Sequence, residues 1–146
     1  MWIWKTFDQL TPTELHAIYQ LRIAVFVVEQ NCPYQEVDDA DLIAHHLFYR
    51  DKAGQLLAYC RLIPAPNQVK LGRVLVAPNQ RGTGLGQELL GQALTYWQAT
   101  FPKKDLFAQA QAYLEDFYQQ FGFESCSAIY LDDNIPHIDM KRRHHD

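Results

Sequence analysis

Three glycines at alternate positions constrain this chain more than any other feature of its sequence. They lie in the run Arg81-Gly82-Thr83-Gly84-Leu85-Gly86, between a β-branched stretch from Val69 to Val76 and a helical pattern that begins at Leu85. Glycine leaves backbone N–H groups unobstructed, and the first turn of a helix offers N–H groups without partners and a partial positive charge. A strand, a glycine-rich turn and a helix in this order predict an anion site, suited to a phosphate or pyrophosphate.

Two common phosphate-binding patterns do not fit this run. A P-loop requires Lys followed by Ser or Thr after its last glycine, whereas Gln87 and Glu88 follow Gly86. The dinucleotide fingerprint requires G-x-G-x-x-G, and the spacing of Gly82, Gly84 and Gly86 differs from it. A structural alternative stays open, in which the glycines only allow the helix to pack closely on the sheet.

The periodicity of the remaining sequence predicts short strands and helices. Thr11-Pro12-Thr13-Glu14 combines a capping residue, a proline at the first helical position and a capping box. Helices are predicted from Pro12 to about Phe26, from Leu85 to about Thr100, and along the stripe of Tyr113, Phe117 and Phe121 up to Gly122. Strands are predicted over Trp2–Phe7, His46–Tyr49, Leu56–Ile63, Val69–Val76, Asp105–Ala110, Phe123–Leu131 and His137–Met140. This order predicts a mixed α/β fold with helices packed on a central sheet.

Length and charge narrow the classes of function. The 146 residues are 48% hydrophobic and carry a formal net charge of −4. We expect one domain over residues 1–146, and no nucleic-acid partner, because the chain as a whole lacks a basic footprint. The dense basic run Lys141-Arg142-Arg143, beside His144 and His145, is predicted to be a solvated tail.

The number and spacing of the cysteines and the length of the apolar stretches indicate the cellular compartment. Cys32, Cys60 and Cys126 are odd in number and widely spaced, which is typical of neither a disulfide framework nor a zinc site. No stretch approaches the ~20 apolar residues of a membrane helix, and the first residues lack a signal-peptide pattern. We therefore expect a cytoplasmic protein with no membrane partner, and the aromatic content leaves a homodimer open.

Three blocks of the sequence occur in a characteristic order. The strand ending in Val74-Leu75-Val76 is followed by the run from Arg81 to Gly86, and later by Phe117-Tyr118-Gln119-Gln120-Phe121-Gly122-Phe123. Together they resemble the GNAT superfamily of N-acetyltransferases, whose signature is R/Q-x-x-G-x-G/A, and residues 21–34 and 135–138 resemble its ElaA-like branch. The resemblance covers the chain from Trp2 to Met140. It implies the GNAT fold, a central, mostly antiparallel mixed sheet splayed in the middle with helices on both faces, and acetyl-coenzyme A (acetyl-CoA) as cosubstrate.

The resemblance also implies a coenzyme site along these blocks. Backbone N–H groups from Gly82 to Gly86 would hold the pyrophosphate, and the strand before them would pair its backbone with the pantetheine arm. The N–H of Val76 would face the thioester oxygen, where a fixed donor stabilises developing negative charge. Gln109 and Gln111 are predicted beside the coenzyme, although alternating polar residues on a strand are as often solvent-facing. The implied coenzyme contacts are Val74, Leu75, Val76, Arg81, Gly82, Thr83, Gly84, Leu85, Gly86, Gln111 and Tyr118.

Tyr118 is predicted to be the general acid. When an amine attacks the thioester, the departing coenzyme A thiolate needs a proton, and a phenol within hydrogen-bond reach supplies one. The alternative is a packed aromatic residue on the helix face that carries Phe117 and Phe121. The position of Tyr118 within the family motif favours the catalytic role.

The general base is left open among three residues. A protonated amine cannot attack, so a group must accept its proton directly or through water. Glu29 lies at the end of the first helical region, His137 has an unperturbed pKa in the required range, and Asp38 is a third candidate. The alternatives are a solvated carboxylate for Glu29 and a histidine satisfied within a strand for His137.

An acidic segment from Glu36 to Asp41, followed by His45 and His46, invites a metal hypothesis. It lacks the central glycine and terminal glutamate of a calcium loop, and the spacing of an HExxH zinc site. We expect no metal and a solvated acidic loop. An alternative for this loop is that it attracts a cationic amine to the mouth of the site.

These observations lead to an expected function. We expect an acetyl-CoA-dependent N-acetyltransferase that moves an acetyl group to a primary amine acceptor, not identified by the sequence, through direct attack on the thioester. The alternative is a non-catalytic acyl-CoA-binding sensor on the same fold, which needs the pyrophosphate loop but no acid or base. A nucleotide-dependent transferase is disfavoured, because Lys-Ser/Thr does not follow the glycines.

Overall fold

A single mixed sheet organises the protein in the computed structural model, which describes residues 1–144. Within them the sheet has eight strands in the order β1-β2-β3-β4-β5-β8-β6, with β7 paired to β8. Every neighbouring pair is antiparallel except β4–β5, which is parallel. The strands are β1 (Trp2–Thr6), β2 (His45–Arg50), β3 (Leu56–Pro64), β4 (Gln68–Val76), β5 (Asp105–Gln111), β6 (Glu124–Ser125), β7 (Tyr130–Asp132) and β8 (Ile135–Arg142).

Six of the predicted strands are confirmed with boundaries within two residues, but the strand predicted over Phe123–Leu131 is wrong. That segment forms β6 and β7, which pair with β8 in different registers. Ser125 lies opposite Met140 and Tyr130 opposite His137, so residues 126–129 face only residues 138–139. The two extra residues cannot join the ladder, and the strand is interrupted there.

Three α-helices are described: α1 (Pro12–Ile23), α2 (Leu85–Thr100) and α3 (Glu115–Gln119). The predicted capping box is confirmed, because the Thr11 hydroxyl accepts from the Glu14 N–H at 3.1 Å and the Glu14 carboxylate accepts from the Thr11 N–H at 2.8 Å. α2 begins and ends at the predicted residues. α1 ends three residues before the predicted Phe26, but a π-helical turn over Ala24–Glu29 continues it. α3 is shorter than the aromatic stripe predicts, because Ala112–Leu114 form a separate 3-10 turn.

The helices cover both faces of the sheet, as the predicted fold class requires. Neighbouring residues of a strand point to opposite faces, and Leu47 packs with the apolar side of α2 whereas Phe48 packs with Ile18 of α1. The core therefore has two layers. The α2 side carries the larger cluster, centred on the fully buried Trp97.

The sheet is splayed between β4 and β5. The two strands pair only from Gln68 to Leu71, opposite Asp105 to Ala108. Beyond this point β4 bulges, since Gly72 lies opposite Arg61 and Leu75 opposite Tyr59, which leaves one extra residue on β4. The bulge turns β4 away from β5, while β5 continues to pair with β8 as far as Gln111.

The acidic segment forms part of a buried ionic network, so the predicted solvated loop is wrong. The side chains of Glu36 and Asp41 are at most 1% exposed, and Arg22 is fully buried. Arg22 donates from Nε to both Glu36 carboxylate oxygens at 3.1 and 2.9 Å, and from Nη1 to Asp41 Oδ1 at 2.8 Å. Arg61 donates to the same Asp41 oxygen at 2.8 Å and to Asp38 at 2.7 and 3.0 Å. Arginines distant in sequence thus neutralise carboxylates that would otherwise have to be solvated.

The predicted solvated basic tail is also wrong where it is described. Lys141 and Arg142 belong to β8. Arg142 donates to the Phe121 carbonyl at 2.9 Å, and its guanidinium lies 5.7 Å from the centroid of the Trp97 ring. His145 lies outside the described residues. No helix within residues 1–144 is long and apolar enough to span a bilayer.

We predict that Arg22→Met destabilises the fold strongly. Removing one partner of a buried ion pair leaves an uncompensated charge and costs about 3–5 kcal/mol. The matched control is Arg50→Met, whose guanidinium is one-third exposed and 4.0 Å from Glu14, and which should cost at most about 1 kcal/mol. Chemical denaturation measures both changes in the free energy of unfolding, and equal effects would contradict a structural role for the network.

Candidate active site

A cleft of about 570 Å³ opens where β4 and β5 separate. Its walls are the residues of β4 from Gly72 to Val76 and those of β5 from Gln109 to Gln111. The remaining lining comes from the π-helical turn, from the segment around Tyr34, from Arg81 and the first turns of α2, from the 3-10 turn before α3, from α3 itself and from the β7–β8 hairpin. The splay therefore brings together segments from most of the chain at the point where sheet pairing stops.

The glycine run lies at one end of this cleft. Gly82 and Gly84 have left-handed φ values of +78° and +88°, which side chains with a Cβ adopt only at a cost. Gly84 caps α2, whose first backbone hydrogen bond runs from the Glu88 N–H to the Gly84 carbonyl at 3.1 Å. The N–H groups of Leu85, Gly86 and Gln87 therefore precede the helical ladder and have no intrahelical acceptor.

Close helix–sheet packing does not account for the glycines. A Cβ at Gly82 or Gly84 would have no atom within 4 Å, and one at Gly86 would meet only Val76 Cγ1 at 3.9 Å, an ordinary contact. A second cavity of about 390 Å³ covers this loop and shares Val76, Arg81 and Gly86 with the cleft. The glycine run thus borders open space that adjoins the cleft, as an anion site requires.

Arg81 and Glu29, for which the sequence predicted separate roles, form an ion pair across the mouth of the cleft. The guanidinium donates to both carboxylate oxygens, at 2.6 and 2.5 Å, and both side chains are two-fifths to one-half exposed. The hydrogen bonds from Arg81 lower the pKa of Glu29 below its usual value. Glu29 is consequently a poorer proton acceptor than a free carboxylate.

Tyr118 is both a core residue and a cleft residue. Its side chain is buried, with ring centroids 5.7 Å from Phe117 and 5.3 Å from Phe123, and it also lines the cleft. Burial raises the pKa of its phenol above the usual value, so the hydroxyl is protonated at neutral pH. The two alternatives considered for this residue are therefore compatible.

The N–H of Val76 is oriented toward the cleft by the pairing of β4. The next residue, Ala77, donates its N–H to the Leu57 carbonyl of the β3 side at 2.8 Å. Because successive N–H groups of an extended chain point to opposite edges, the Val76 N–H points to the edge that faces β5. There the splay has removed the neighbouring strand.

His137 lies across the cleft from β4, directly opposite Gln111 on the β5–β8 ladder. Its Nδ1 is 2.7 Å from the Ile135 carbonyl. A carbonyl only accepts, so Nδ1 carries the proton, and in the neutral ring Nε2 has a free lone pair. The third candidate base, Asp38, does not line the cleft, and hydrogen bonds from Arg61 lower its pKa.

Some lining residues were missed by sequence reasoning, namely Cys32, Tyr34, Tyr113, Asp132 and Asp133. Cys32, Tyr34 and Asp133 lie in turns and loops without periodicity, and Asp132 ends the short strand β7. Tyr113 was part of a predicted helical stripe, but nothing in that pattern marked it as a cleft residue. Within residues 1–144, no group of three or more His, Cys, Asp or Glu side chains is arranged to hold a metal ion.

Comparison with known proteins identifies the class to which this fold and cleft belong. A family model described as an acetyltransferase (GNAT) domain matches residues 14–144, and the chain belongs to that family of acyltransferases. A UPF0039 protein of Schizosaccharomyces pombe is 45% identical over 141 residues, which cover 95% of this chain and 94% of that protein. Protein ElaA of Escherichia coli is 41% identical over 141 residues, which cover 92% of this chain and 91% of ElaA.

Solved structures agree with this family. The crystal structure of E. coli ElaA matches with a TM-score of 0.94, covering 98% of this chain and 99% of ElaA. An acyl-CoA N-acyltransferase from Pseudomonas aeruginosa, 44% identical, matches with a TM-score of 0.92 over 97% of this chain and 99% of that one. The resemblance to the GNAT superfamily, its ElaA-like branch and the predicted fold class are confirmed.

We predict opposite effects for alanine at two glycines of the same region. Gly84→Ala places a Cβ in a left-handed conformation and should lower the free energy of unfolding by about 1–2 kcal/mol. The control, Gly91→Ala, lies inside α2 with no atom within 4 Å of the new Cβ and should raise it by about 0.5–1 kcal/mol. Denaturant titration distinguishes the two, and stabilisation by Gly84→Ala would show that the loop does not need its left-handed turn.

Proposed function

We propose that the protein transfers an acetyl group from acetyl-CoA to a primary amine. The observation that carries this proposal is the continuity between the glycine loop and the cleft, because it gives one extended site for an anion at one end and for reactive groups at the other. Membership of the GNAT family and the 44% identical acyl-CoA N-acyltransferase of P. aeruginosa support it.

The residues of the loop fit a pyrophosphate. The backbone N–H groups from Gly82 to Gly86, including those of Thr83 and Leu85, would hold its oxygens at the N-terminus of α2, where the helix dipole favours negative charge. Val74, Leu75 and Val76 would present backbone groups to the pantetheine arm, with Gln111 on the opposite wall. Arg81 would contribute a positive charge when its guanidinium turns from Glu29 toward the phosphates.

Bound acetyl-CoA supplies a thioester, whose acyl carbon is attacked by the amine while the bond to sulfur breaks. The Val76 N–H would donate to the acyl oxygen, where negative charge develops, and fixed donors of this kind favour the transition state. Tyr118 would donate its phenolic proton to the departing thiolate and recover a proton from solvent. Burial raises the pKa of this phenol, so it stays protonated before the reaction but is a weaker acid than an exposed tyrosine.

Among the three candidate bases, His137 fits the role best. The two carboxylates, Glu29 and Asp38, are each held by an arginine that lowers their pKa. His137 combines a place in the cleft with an Nε2 lone pair, and histidine is the side chain that most often serves as a general base. It would accept the proton of the attacking amine directly or through water.

The acceptor would be a cationic amine in its resting form. Asp132 and Asp133 line the cleft, and within residues 1–144 no cationic side chain lies within ion-pair distance of either. Asp132 and Asp133 would attract the cationic amine. The sequence had assigned that role to Glu36–Asp41, whose buried carboxylates instead pair with arginines.

The compartment and the oligomeric state are part of the same proposal. The free thiols, with Cys126 exposed, fit action in a reducing cytoplasm. The homodimer stays a prediction, which sedimentation of the purified protein would test.

We predict that acetyl-CoA binds and that an amine panel releases its thiol. Calorimetry should give a saturable isotherm with Kd in the range of about 1 μM to 1 mM that enzymes show for substrates, and a thiol reagent should report amine-dependent turnover. ATP with magnesium is the control ligand and should not bind. Binding without thiol release across diamines, polyamines and lysine peptides would favour the sensor, and absence of acetyl-CoA binding would overturn the proposal.

We predict that Tyr118→Phe lowers turnover and leaves coenzyme affinity nearly unchanged. Loss of a general acid should reduce kcat by about 10²-fold, less if water replaces the proton. Tyr49→Phe, in β2 and outside the cleft lining, is the matched control and should keep full kcat. Single-turnover measurements keep chemistry rate-limiting, and unchanged turnover there would remove Tyr118 from the mechanism.

A further inference from the structure

A strained arginine lies where β4 begins to leave the sheet. Arg73 has a left-handed φ of +52°, although it carries a Cβ. The residue before it is a glycine, which could adopt such a φ at less cost. Such conformations persist only where the surroundings impose them, and they cluster at functional sites. The extra residue of the β4 bulge lies between Gly72 and Leu75, so Arg73 occupies the bulge itself.

The side chain of Arg73 joins β4 to the loop that carries Tyr34. Its Nη2 donates to the Glu36 carbonyl at 2.8 Å and reaches Asp38 Oδ2 at 3.4 Å. Nε lies 2.7 Å from Glu36 Oε2 in an ion pair without hydrogen-bond geometry. The guanidinium also lies 5.7 Å from the ring centroid of Tyr34, which lines the cleft.

The loop does not depend on Arg73 for its charge partners. Glu36 keeps two hydrogen bonds from the buried Arg22, and Asp38 keeps two from Arg61. Arg73 is also the most exposed of the three guanidinium groups, at 21% against 0% and 4%. Its contacts add to an ionic network in which each carboxylate already has a partner. The ionic network therefore depends less on Arg73 than on Arg22, and a structural role alone does not account for Arg73.

We propose that Arg73 is a positioning residue that fixes the reactive end of β4 relative to the loop that carries Tyr34. This inference rests on the proposed function. Arg73 holds the bulge by bonding to the loop that carries Tyr34, and the bulge in turn directs the backbone of Val74 and Val76 into the cleft. The proposed anchor of the coenzyme, the glycine loop, begins eight residues further along the chain, and within residues 1–144 no hydrogen bond or ion pair joins it to Arg73. Loss of the tether should therefore lower acyl transfer much more than coenzyme affinity, because the glycine loop still holds the pyrophosphate while only the contacts of Val74 and Val76 are displaced.

Three variants separate the tether from the strain. Arg73→Gly removes the guanidinium and relieves the left-handed backbone, Arg73→Ala removes the guanidinium only, and Arg73→Lys keeps a cation. We expect kcat/KM for the amine to fall at least about tenfold in the first two, as for other small misplacements of reacting groups, while the Kd of coenzyme A changes much less. Arg73→Lys should recover part of the loss, and Arg73→Gly should unfold at a higher temperature than Arg73→Ala. Lys70→Ala, on the same strand before the bulge, is the control.

Amide NMR spectra make the test independent of turnover. In wild type, coenzyme A should shift the amides of Val74, Val76 and residues 82–86, and in Arg73→Gly it should shift only the loop amides. Wild-type protein that fails to bind coenzyme A would overturn the proposed function, while altered Val74, Val76 and Tyr34 amides in the unliganded variant would still support the tether. Unchanged amides there, or wild-type kcat/KM in Arg73→Gly, would overturn the inference, and loss of loop shifts would place Arg73 in coenzyme binding instead.

Discussion

Much of this structure depends on how one buried positive charge, the guanidinium of Arg22, is paired. Arg22 has no exposed surface, and an unpaired guanidinium in a protein interior is destabilising by several kcal/mol, on the order of a large part of a domain's stability. Glu36 and Asp41 satisfy it from a segment with little regular structure of its own. Asp41 then bonds to Arg61 of β3, and its carbonyl lies 2.9 Å from Nε2 of the buried His46. The ionic network thus fixes an irregular loop against α1 and the sheet.

That constraint extends to the cleft through geometry. The loop held by Arg22 carries Tyr34, and Arg73 connects the same loop to the bulge of β4. β4 can leave β5 because their parallel pairing stops after Leu71, and the bulge gives its next residues a new direction. The buried ionic network therefore positions residues that line the open cleft.

The predictions from sequence succeeded where the determining interactions are local. The limits of α2 follow from a helical stripe after a glycine turn, and the start of α1 follows from the Thr11 capping box. The acidic loop was misjudged because its partners lie far away along the chain, with Arg22 bonded to Glu36 across 14 residues and Arg73 across 37. No window of periodicity contains both ends of such a pair. The pairing of Arg81 with Glu29, 52 residues apart, was missed for the same reason.

The pairing of Arg81 with Glu29 also bears on what binds the anion. An exposed ion pair stabilises by at most about 1 kcal/mol, so it neither holds the loop in place nor prevents Arg81 from turning to a phosphate. Backbone N–H groups differ, because the left-handed turns at Gly82 and Gly84 and the start of α2 fix their directions. A chain with net charge −4 can therefore bind an anion through oriented amides without a basic surface. Side-chain substitution leaves these donors in place, whereas a Cβ at the left-handed positions disturbs them, which is why the glycine spacing was the most informative feature of the sequence.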